Sequence, residues 1–256
     1  RIASSRLPWS IRLAGVSQDG TRAVGFRFAG LGGNQVVIAG AHGWRQVSLP
    51  AGNWDFDALR GSNLILIRYL STGGYQVHAF DLSHPATSRV IKDPRESATI
   101  WGSPASRLAS ADGRYLFTLY VASNGAAMVH DLDLVDATAR CIDLPGTGDY
   151  NSGNAWSLAL SPDGRTLWAA DAGYARLVGI DVATREVVAA HSLDLPYWNL
   201  GNATRSAVSP DGKEVALTDG ETVARVRLDD GALVSRTKVR ARAVGYAPAG
   251  DLRMLR

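Results

Sequence analysis

A short turn phrase recurs along the chain, and its spacing restricts the fold more than any other feature of the sequence. Residues 161–171 read SPDGRTLWAAD, and residues 209–219 read SPDGKEVALTD. Four weaker copies can be aligned with these two, and each copy is anchored on the last residue of its turn: Gly20, Asn63, Gly113, Gly164, Gly212 and Gly250. Successive anchors lie about 40 to 50 residues apart, which is the length of one four-stranded propeller blade. Six anchors therefore predict six blades.

Each copy also carries the same order of local patterns. A small and apolar stretch precedes the anchor, a β-branched and aromatic stretch follows it, and two further strand-like stretches come after a glycine-rich break. Asp-Gly suits tight turns because glycine accepts a positive φ. Alternating patterning with almost no helical periodicity predicts an all-β fold. We therefore predict a six-bladed β-propeller of four-stranded antiparallel blades, with innermost strands at about 11–17, 54–60, 104–110, 155–161, 203–209 and 241–247.

The two ends of the chain predict how the last blade is completed. Residues 1–8, RIASSRLP, end in Leu-Pro, as the fourth strands of inner blades do, whereas residues 241–256 supply only a first and a second strand. We expect the N-terminal strand to close the sixth blade beside them. One strand is then missing from that blade. Either the natural chain continues past Arg256, or the last blade is incomplete and exposes an edge, which proteins usually avoid.

Composition favours one domain and argues against several classes of function. With 256 residues, of which 46% are hydrophobic, the chain can bury a full core, so we predict a single β-propeller domain over 1–256. The 27 basic residues are interleaved with 24 acidic ones, which predicts a mixed surface and no nucleic-acid partner. Cys141 is the single cysteine and excludes an intramolecular disulfide. No apolar run approaches the ~20 residues of a membrane span, and we expect a monomer.

The first residue bears on location. The sequence starts at Arg1 instead of Met, which fits both a removed signal peptide or anchor and an imposed boundary. We expect an extracytoplasmic protein that is secreted, periplasmic or surface-anchored.

The segment 161–188, SPDGRTLWAADAGYARLVGIDVATREVV, resembles the YVTN-type β-propeller repeat of bacterial proteins. It contains Ser-Pro-Asp-Gly, an apolar strand, an Asp with a Gly, a valine-containing strand that ends in Asp, and a Thr turn. The match is close over 154–194, good over 202–234 and weaker in the first three blades. The resemblance implies the fold far more than the function, because such propellers include surface proteins, binding modules, six-bladed lactonases and redox-enzyme subunits.

The histidines and serines do not form a recognisable catalytic pattern. His78 and His130 occupy the same column of the repeat, so we interpret both as blade-packing residues. No Gly-x-Ser-x-Gly motif accompanies the remaining histidines. We therefore predict no catalytic residue.

 The sequence therefore favours a protein that is not an enzyme and that needs no cofactor.

The carboxylates of residues 130–136, HDLDLVD, resemble a metal-binding loop only superficially. A calcium loop of the EF type needs a glycine and a distal bidentate Glu, and neither follows here. Asp133 aligns with Asp81 and Asp181 at the end of each third strand, where a carboxylate commonly caps a turn. We predict turn caps at these positions and no bound metal.

A column of asparagines leaves a second class of function open. Asn53, Asn154 and Asn202 each lie ten residues before an anchor and follow a glycine. Six-bladed lactonases of the gluconolactonase type hold a divalent cation in the central channel with Glu and Asn or Asp side chains. Three amides without carboxylates make a poor cation site, so we favour tight turns into the innermost strands. A propeller hydrolase or lyase of lactonase type, with its site at the channel mouth, remains the alternative.

Aromatic residues gather near the same column. Five of the seven tryptophans lie within four positions of it, and Tyr150 and Tyr197 lie in the same loops. Tryptophans wedged between blades would stabilise the ring of blades, which is the favoured interpretation. Rigid aromatics with Arg and Asn on a concave face are also what a ligand site requires.

The leading functional prediction is a non-catalytic binding scaffold that recognises a protein, peptide or glycan at the channel-mouth face, where the chain enters the innermost strands. The candidate ligand-binding residues are the aromatic and polar residues of those entries: Trp54, Trp101, Trp156, Trp198, Tyr150, Tyr197, Asn53, Asn154, Asn202, Arg12 and Arg242.

Overall fold

The computed structural model describes residues 11–28, 34–84, 88–147, 155–195, 198 and 203–255. The regular elements in these ranges are β-strands, which form five four-stranded antiparallel sheets and one two-stranded sheet. The sheets follow one another along the chain and are called blades 1 to 6.

The strands of each blade pair in sequence order. Blade 1 contains β1 (Arg12–Val16), β2 (Ala23–Phe28), β3 (Asn34–Gly40) and β4 (Gly43–Ser48). Blade 2 contains β5 (Asn53–Arg60), β6 (Asn63–Tyr69), β7 (Tyr75–Asp81) and β8 (Ser88–Ile91). Blade 3 contains β9 (Ser103–Ala109), β10 (Tyr115–Val121), β11 (Ala126–Asp133) and β12 (Thr138–Thr147). Blade 4 contains β13 (Trp156–Leu160), β14 (Thr166–Asp171), β15 (Arg176–Asp181) and β16 (Glu186–Ser192). Blade 5 contains β17 (Arg205–Val208), β18 (Glu214–Thr218), β19 (Gly220–Arg227) and β20 (Leu233–Ala241). Blade 6 contains β21 (Ala243–Tyr246) and β22 (Leu252–Leu255).

The predicted fold class, an all-β protein built of six propeller blades, is confirmed by these sheets. The first strand of each blade falls on a predicted innermost segment, and blade 6 has the predicted first and second strands. The N-terminal strand predicted at 1–8 lies outside the described residues.

Contacts within the chain define two compact units. Unit 1 comprises Arg1–Trp101, Asp112–Tyr115 and Leu132–Ala139, and unit 2 comprises Gly102–Ala111, Leu116–Asp131 and Arg140–Arg256. The single domain predicted over 1–256 stays a prediction.

The core of unit 1 is apolar side chains of blades 1 and 2. The middle strands are buried on both faces, since Leu64, Ile65 and Leu66 of β6 are all inaccessible to solvent. Val36 of β3 and Phe80 of β7 belong to the same buried cluster. Apolar faces of adjacent blades therefore pack together, which explains why successive residues of one strand can all be apolar.

Unit 2 shows how successive blades adjoin. The first strands β9, β13, β17 and β21 contact one another in that order. The backbone N–H of Leu158 in β13 donates to Oγ of Ser106 in β9 over 3.0 Å. Adjacent first strands are what the propeller prediction requires, because each blade begins at its innermost strand.

The recurrent phrase builds one turn with a fixed set of side-chain hydrogen bonds. In the fourth copy, Oγ of Ser161 donates to Asp163 over 2.6 Å and accepts the N–H of Thr166 over 2.9 Å. Gly164 completes the turn with a φ of +72°. The serine and aspartate of the first and fifth copies bond in the same way. The repeated phrase thus joins the first and second strands of a blade and carries no site chemistry of its own.

A second repeated aspartate caps the turn after the third strand in blades 2, 3 and 4, as predicted. Oδ1 of Asp81 accepts the N–H of Ser83, and Oδ1 of Asp181 accepts the N–H groups of Ala183 and Thr184. Asp133 accepts the N–H groups of the two corresponding residues in blade 3. Backbone donors that would otherwise lack a partner are thereby satisfied.

Candidate functional site

The predicted site residues fall into three groups. Tyr150, Asn154, Tyr197 and Asn202 lie outside the described residues. Three tryptophans are buried within the units. The remaining candidates, Arg12, Asn53, Trp101 and Arg242, are exposed.

Trp54 is a packing residue of unit 1. Its side chain is 5% exposed and belongs to the buried cluster of blades 1 and 2. Its ring lies edge to face with His78 at a centroid distance of 5.0 Å and with Phe80 at 5.6 Å. Nε1 donates to the backbone carbonyl of Pro50 over 2.9 Å. These contacts favour a packing role for Trp54, and a ligand contact at this residue stays a prediction.

His78 fills the same cluster. Burial lowers the pKa of its imidazole, and the nearby Arg68 guanidinium lowers it further. A neutral, buried imidazole at the edge of a tryptophan ring fits the packing role predicted from the repeat.

Trp156 and Trp198 are buried in unit 2, with exposed fractions of 1% and 6%. Nε1 of Trp198 donates to Oγ1 of Thr204 over 2.9 Å. Nε1 of Trp156 has no hydrogen-bond partner, and the Arg176 guanidinium lies over its ring at 5.1 Å from the centroid. Both indoles are enclosed by protein, which favours packing roles, and a ligand contact at either residue stays a prediction.

Trp101 differs from the other three because 56% of its side chain is exposed. Its ring lies against the glycine pair of the loop that joins β6 to β7: a Cβ on Gly73 would be 3.3 Å from the indole, and one on Gly74 would be 3.2 Å from it. Both glycines have positive φ values. Tyr75, the residue after the pair, exchanges backbone hydrogen bonds with Ile100, the residue before the indole. The glycines therefore allow a close approach that holds an exposed tryptophan in place.

A cleft of about 600 Å³ lies beside the same loop, at the end of blade 2 where β5 begins and β6 ends. It is lined mainly by polar residues of these two strands and the loop: Gly52, Asn53, Arg68, Tyr69, Leu70, Ser71 and Thr72. The aromatic residue among them is Tyr69, which is 44% exposed and lies edge to face with Tyr75 at 6.1 Å. Partial burial raises the pKa of the Tyr69 hydroxyl, and Asp55 and Asp57 add to the effect. The phenol therefore stays protonated near neutral pH and can donate a hydrogen bond.

Sequence reasoning identified Asn53 and Trp101 but missed Tyr69 and Arg68. The candidates from sequence lie at or near the start of the first strand of each blade. The segment Arg68–Gly74, RYLSTGG, carried a usable signal, because a loop between second and third strands lies at the same end of the blade as the start of the first strand. An aromatic residue before a glycine pair in such a loop indicates an exposed ring.

The two predicted arginines lie elsewhere. Arg12 of β1 is exposed, with its guanidinium 3.7 Å from the Asp55 carboxylate and 5.9 Å from the centroid of the Phe26 ring. Arg242 follows β20 in unit 2, where it lines a different cleft. Neither arginine lines the cleft beside Trp101.

The acidic segment of blade 3 is engaged in ion pairs. Arg185 donates from Nε to the buried carboxylate of Asp131 over 2.7 Å. Arg114 contacts the carboxylates of Asp133 and Asp136, each over 2.8 Å. Across the described ranges, no three His, Cys, Asp or Glu side chains are grouped so as to hold a metal ion. Within the same ranges, no helix is long and apolar enough to cross a membrane.

Comparisons with known proteins concern the fold. No protein-family model matches the sequence, and no curated protein matches it. The β-propeller domain of Cps50 (Swd1) from Myceliophteria thermophila is 14% identical, with a TM-score of 0.47 over 93% of this chain and 77% of that one. A candidate 6-phosphogluconolactonase from Bacteroides uniformis is 16% identical, with a TM-score of 0.48 over 97% of this chain and 78% of that one. Hydrazine synthase from Kuenenia stuttgartiensis is 15% identical, with a TM-score of 0.42 over 100% of this chain and 99% of that one. At such identities, the activities of these three proteins are not assigned to this chain.

Proposed function

We propose that the chain is a non-catalytic binding propeller whose ligand is a glycan or a peptide, bound in the cleft beside Trp101 on blade 2. The observation that carries the proposal is the exposed indole of Trp101, held on the glycine pair of the β6–β7 loop, whose residues 70–72 line a polar cleft together with Tyr69. Buried tryptophans of this chain stabilise blades, whereas an exposed tryptophan fixed in one position offers a flat apolar face to a ligand.

The polar side chains of the cleft supply the complementary interactions. Asn53 offers an amide that both donates and accepts, and Ser71 and Thr72 offer hydroxyls. The Tyr69 hydroxyl adds a further donor. A ligand with a flat apolar face and several hydroxyl or amide groups would use both kinds of contact, which is the chemistry of a sugar ring or an extended peptide.

The expectations that extend this proposal concern its biological setting. We include in it an extracytoplasmic location, a monomeric state and kinship with bacterial YVTN-type propellers. The Ser-Pro-Asp-Gly turns and the blade organisation support the kinship with these propellers.

The test begins with glycan and peptide arrays probed with the purified chain, followed by titration of each bound compound. Trp101→Ala and Tyr69→Ala should weaken binding about tenfold or more, because they remove the stacking surface. Because Trp101 is mostly exposed, the first change should cost less than about 1 kcal/mol of unfolding free energy. Trp44→Ala is the matched control, since Trp44 is an exposed tryptophan at the β3–β4 turn of blade 1.

Three results would contradict the proposal. One is the absence of any array ligand. Another is binding that survives Trp101→Ala and Tyr69→Ala but is lost in Trp44→Ala. The third is hydrolysis of a lactone panel by the purified chain, which would favour the lactonase-type alternative.

A further inference from the structure

A second cleft, in unit 2, is lined by three arginines. It has a volume of about 370 Å³ and lies where blade 5 ends and blade 6 begins. Its walls come from the starts of β17 and β19 and from the junction of β20 with β21: Ala203, Arg205, Gly220, Glu221, Arg240 and Arg242. Three guanidinium groups and one carboxylate give this small cleft an excess of two positive charges.

A β-bulge sets the position of Arg240. Gly220 pairs with Ala241 and Thr222 pairs with Lys238, so β20 carries one more residue than β19 across this interval. The extra residue changes the direction of the bulged side chains, and bulges occur often next to functional sites for this reason. Without the bulge, the alternation of β20 would place Arg240 on the same face as Lys238.

The bulge is fixed by a buried threonine. Oγ1 of Thr218 donates to the carbonyl of Ala241 over 2.9 Å and accepts the N–H of Gly220 over 3.1 Å. Thr218 is inaccessible to solvent and pairs with Arg205 across β17 and β18. One buried hydroxyl therefore links the backbone segments that carry the arginines of the cleft.

Arg205 is held independently of any carboxylate. Its Nη1 donates to the carbonyl of Thr204 over 3.0 Å. Thr204 is itself buried and accepts the indole N–H of Trp198. The guanidinium of Arg205 keeps its other donors for a ligand, since arginine has five N–H groups.

The charged side chains of the cleft do not neutralise one another. Within the described residues, no ion pair joins Glu221 to Arg205, Arg240 or Arg242. Other arginines of blade 5 do pair with nearby carboxylates, as Arg225 does with Glu214 over 2.6 Å. Guanidinium groups that line one cleft repel each other, and a bound anion would offset this repulsion.

We propose that Arg205, Arg240 and Arg242 bind a dianionic oxyanion group, as found in phosphate and sulfate esters. The excess of two positive charges matches a dianion, and planar guanidinium forks suit tetrahedral oxyanions through paired N–H···O bonds. The site belongs to unit 2 and does not depend on the ligand proposed for blade 2.

The experiment is an NMR titration of the ¹⁵N-labelled chain with inorganic phosphate and, separately, with sulfate, at low ionic strength. Acetate at matched ionic strength serves as the monoanionic probe. The amide signals of Gly220, Glu221 and Arg242 should shift with both dianions and remain unchanged with acetate. A preference for phosphate or for sulfate identifies the ester class.

Variants test which side chains bind. Arg240→Gln and Arg242→Gln should each weaken the affinity for the preferred dianion about five- to tenfold, given the strength of hydrogen bonds to charged groups and their screening by solvent. Lys213→Gln removes the same charge from the turn at the opposite end of blade 5 and should leave the affinity unchanged. Glu221→Gln should tighten binding about twofold or more, because it removes the opposing charge.

Four results would overturn the proposal: equal shifts with acetate, no saturable shift with either dianion, equal weakening by Lys213→Gln, or unchanged affinity in both arginine variants. Folding of every variant is checked from its amide spectrum. The conservative variant Arg240→Lys keeps the positive charge but loses the planar guanidinium and its paired N–H donors. It should bind more weakly than the native chain and more tightly than Arg240→Gln.

Discussion

The two buried tryptophans of unit 2 should respond differently to replacement by phenylalanine. Trp156 and Trp198 are almost equally buried, so Trp156→Phe and Trp198→Phe remove similar apolar area and leave similar cavities. Their indole N–H groups differ. That of Trp198 donates to Thr204 over 2.9 Å, whereas that of Trp156 has no partner.

The expected difference can be worked from these contacts. Trp198→Phe leaves the buried Thr204 hydroxyl without its donor, at a cost of about 1–3 kcal/mol. Trp156→Phe removes an unsatisfied buried donor, which recovers about 1–3 kcal/mol. The Arg176 guanidinium stacks less well on phenylalanine than on tryptophan, which reduces this gain in stability by about 0.5–1 kcal/mol. Trp198→Phe should therefore cost about 3 kcal/mol more unfolding free energy than Trp156→Phe.

Chemical denaturation of both variants, followed by far-UV circular dichroism, measures this difference. The native chain and a Trp101→Phe variant serve as references, since Trp101 is exposed and should change stability little. Equal losses for the two buried positions, or a larger loss for Trp156→Phe, would refute the assignment of hydrogen bonds to these indoles.

Three further predictions concern turns and ion pairs. Arg185→Met should lower the unfolding free energy by about 3 kcal/mol, because it removes the ion pair of the buried Asp131 carboxylate. Asp131→Asn in the same chain should recover part of this loss, as measured by denaturant titration. The pKa of Asp19 is lowered from the ordinary 3.8 to about 2, and the hydrogen bond from the Ser17 hydroxyl is the largest cause. The ionised carboxylate therefore stabilises the fold above pH 4, and this contribution is lost as the pH falls from about 4 to 2. Asp19→Asn should remove that part of the pH dependence of the thermal midpoint. Gly74→Ala should destabilise more than Gly164→Ala on thermal unfolding, because both have positive φ but only the Cβ at Gly74 would meet a backbone carbonyl, at 2.9 Å.

The blades could be predicted from sequence because their information is local. The Ser-Pro-Asp-Gly turns carry their own hydrogen bonds, as between Ser161 and Asp163, so the same residues give the same turn in each copy. The aspartates after the third strands were predicted for the same reason. The predicted completion of blade 6 by residues 1–8 stays a prediction, because these residues lie far from β21 and β22 in the sequence and no local pattern determines such a pairing.

The site was less predictable because burial depends on distant residues. Trp54 and Trp101 occupy similar places in the repeat, yet the first is covered by His78 and Phe80 and the second is exposed over a glycine pair. One residue of the cleft between blades 5 and 6, Arg242, is among the candidates that the sequence indicates. Its other arginines require the register of β19 with β20, and a bulge in that register cannot be read from alternation alone.

The central claim is that ligand binds at the end of blade 2 where β5 begins. Hydrogen–deuterium exchange of the whole chain, with and without the tightest array ligand, tests it most directly because it does not presuppose a location. The account predicts slower exchange on binding at residues 52–54 and 69–74, with no change at the β3–β4 turn that carries Trp44. Slower exchange at the Ser-Pro-Asp-Gly turns, with none at 69–74, would contradict it.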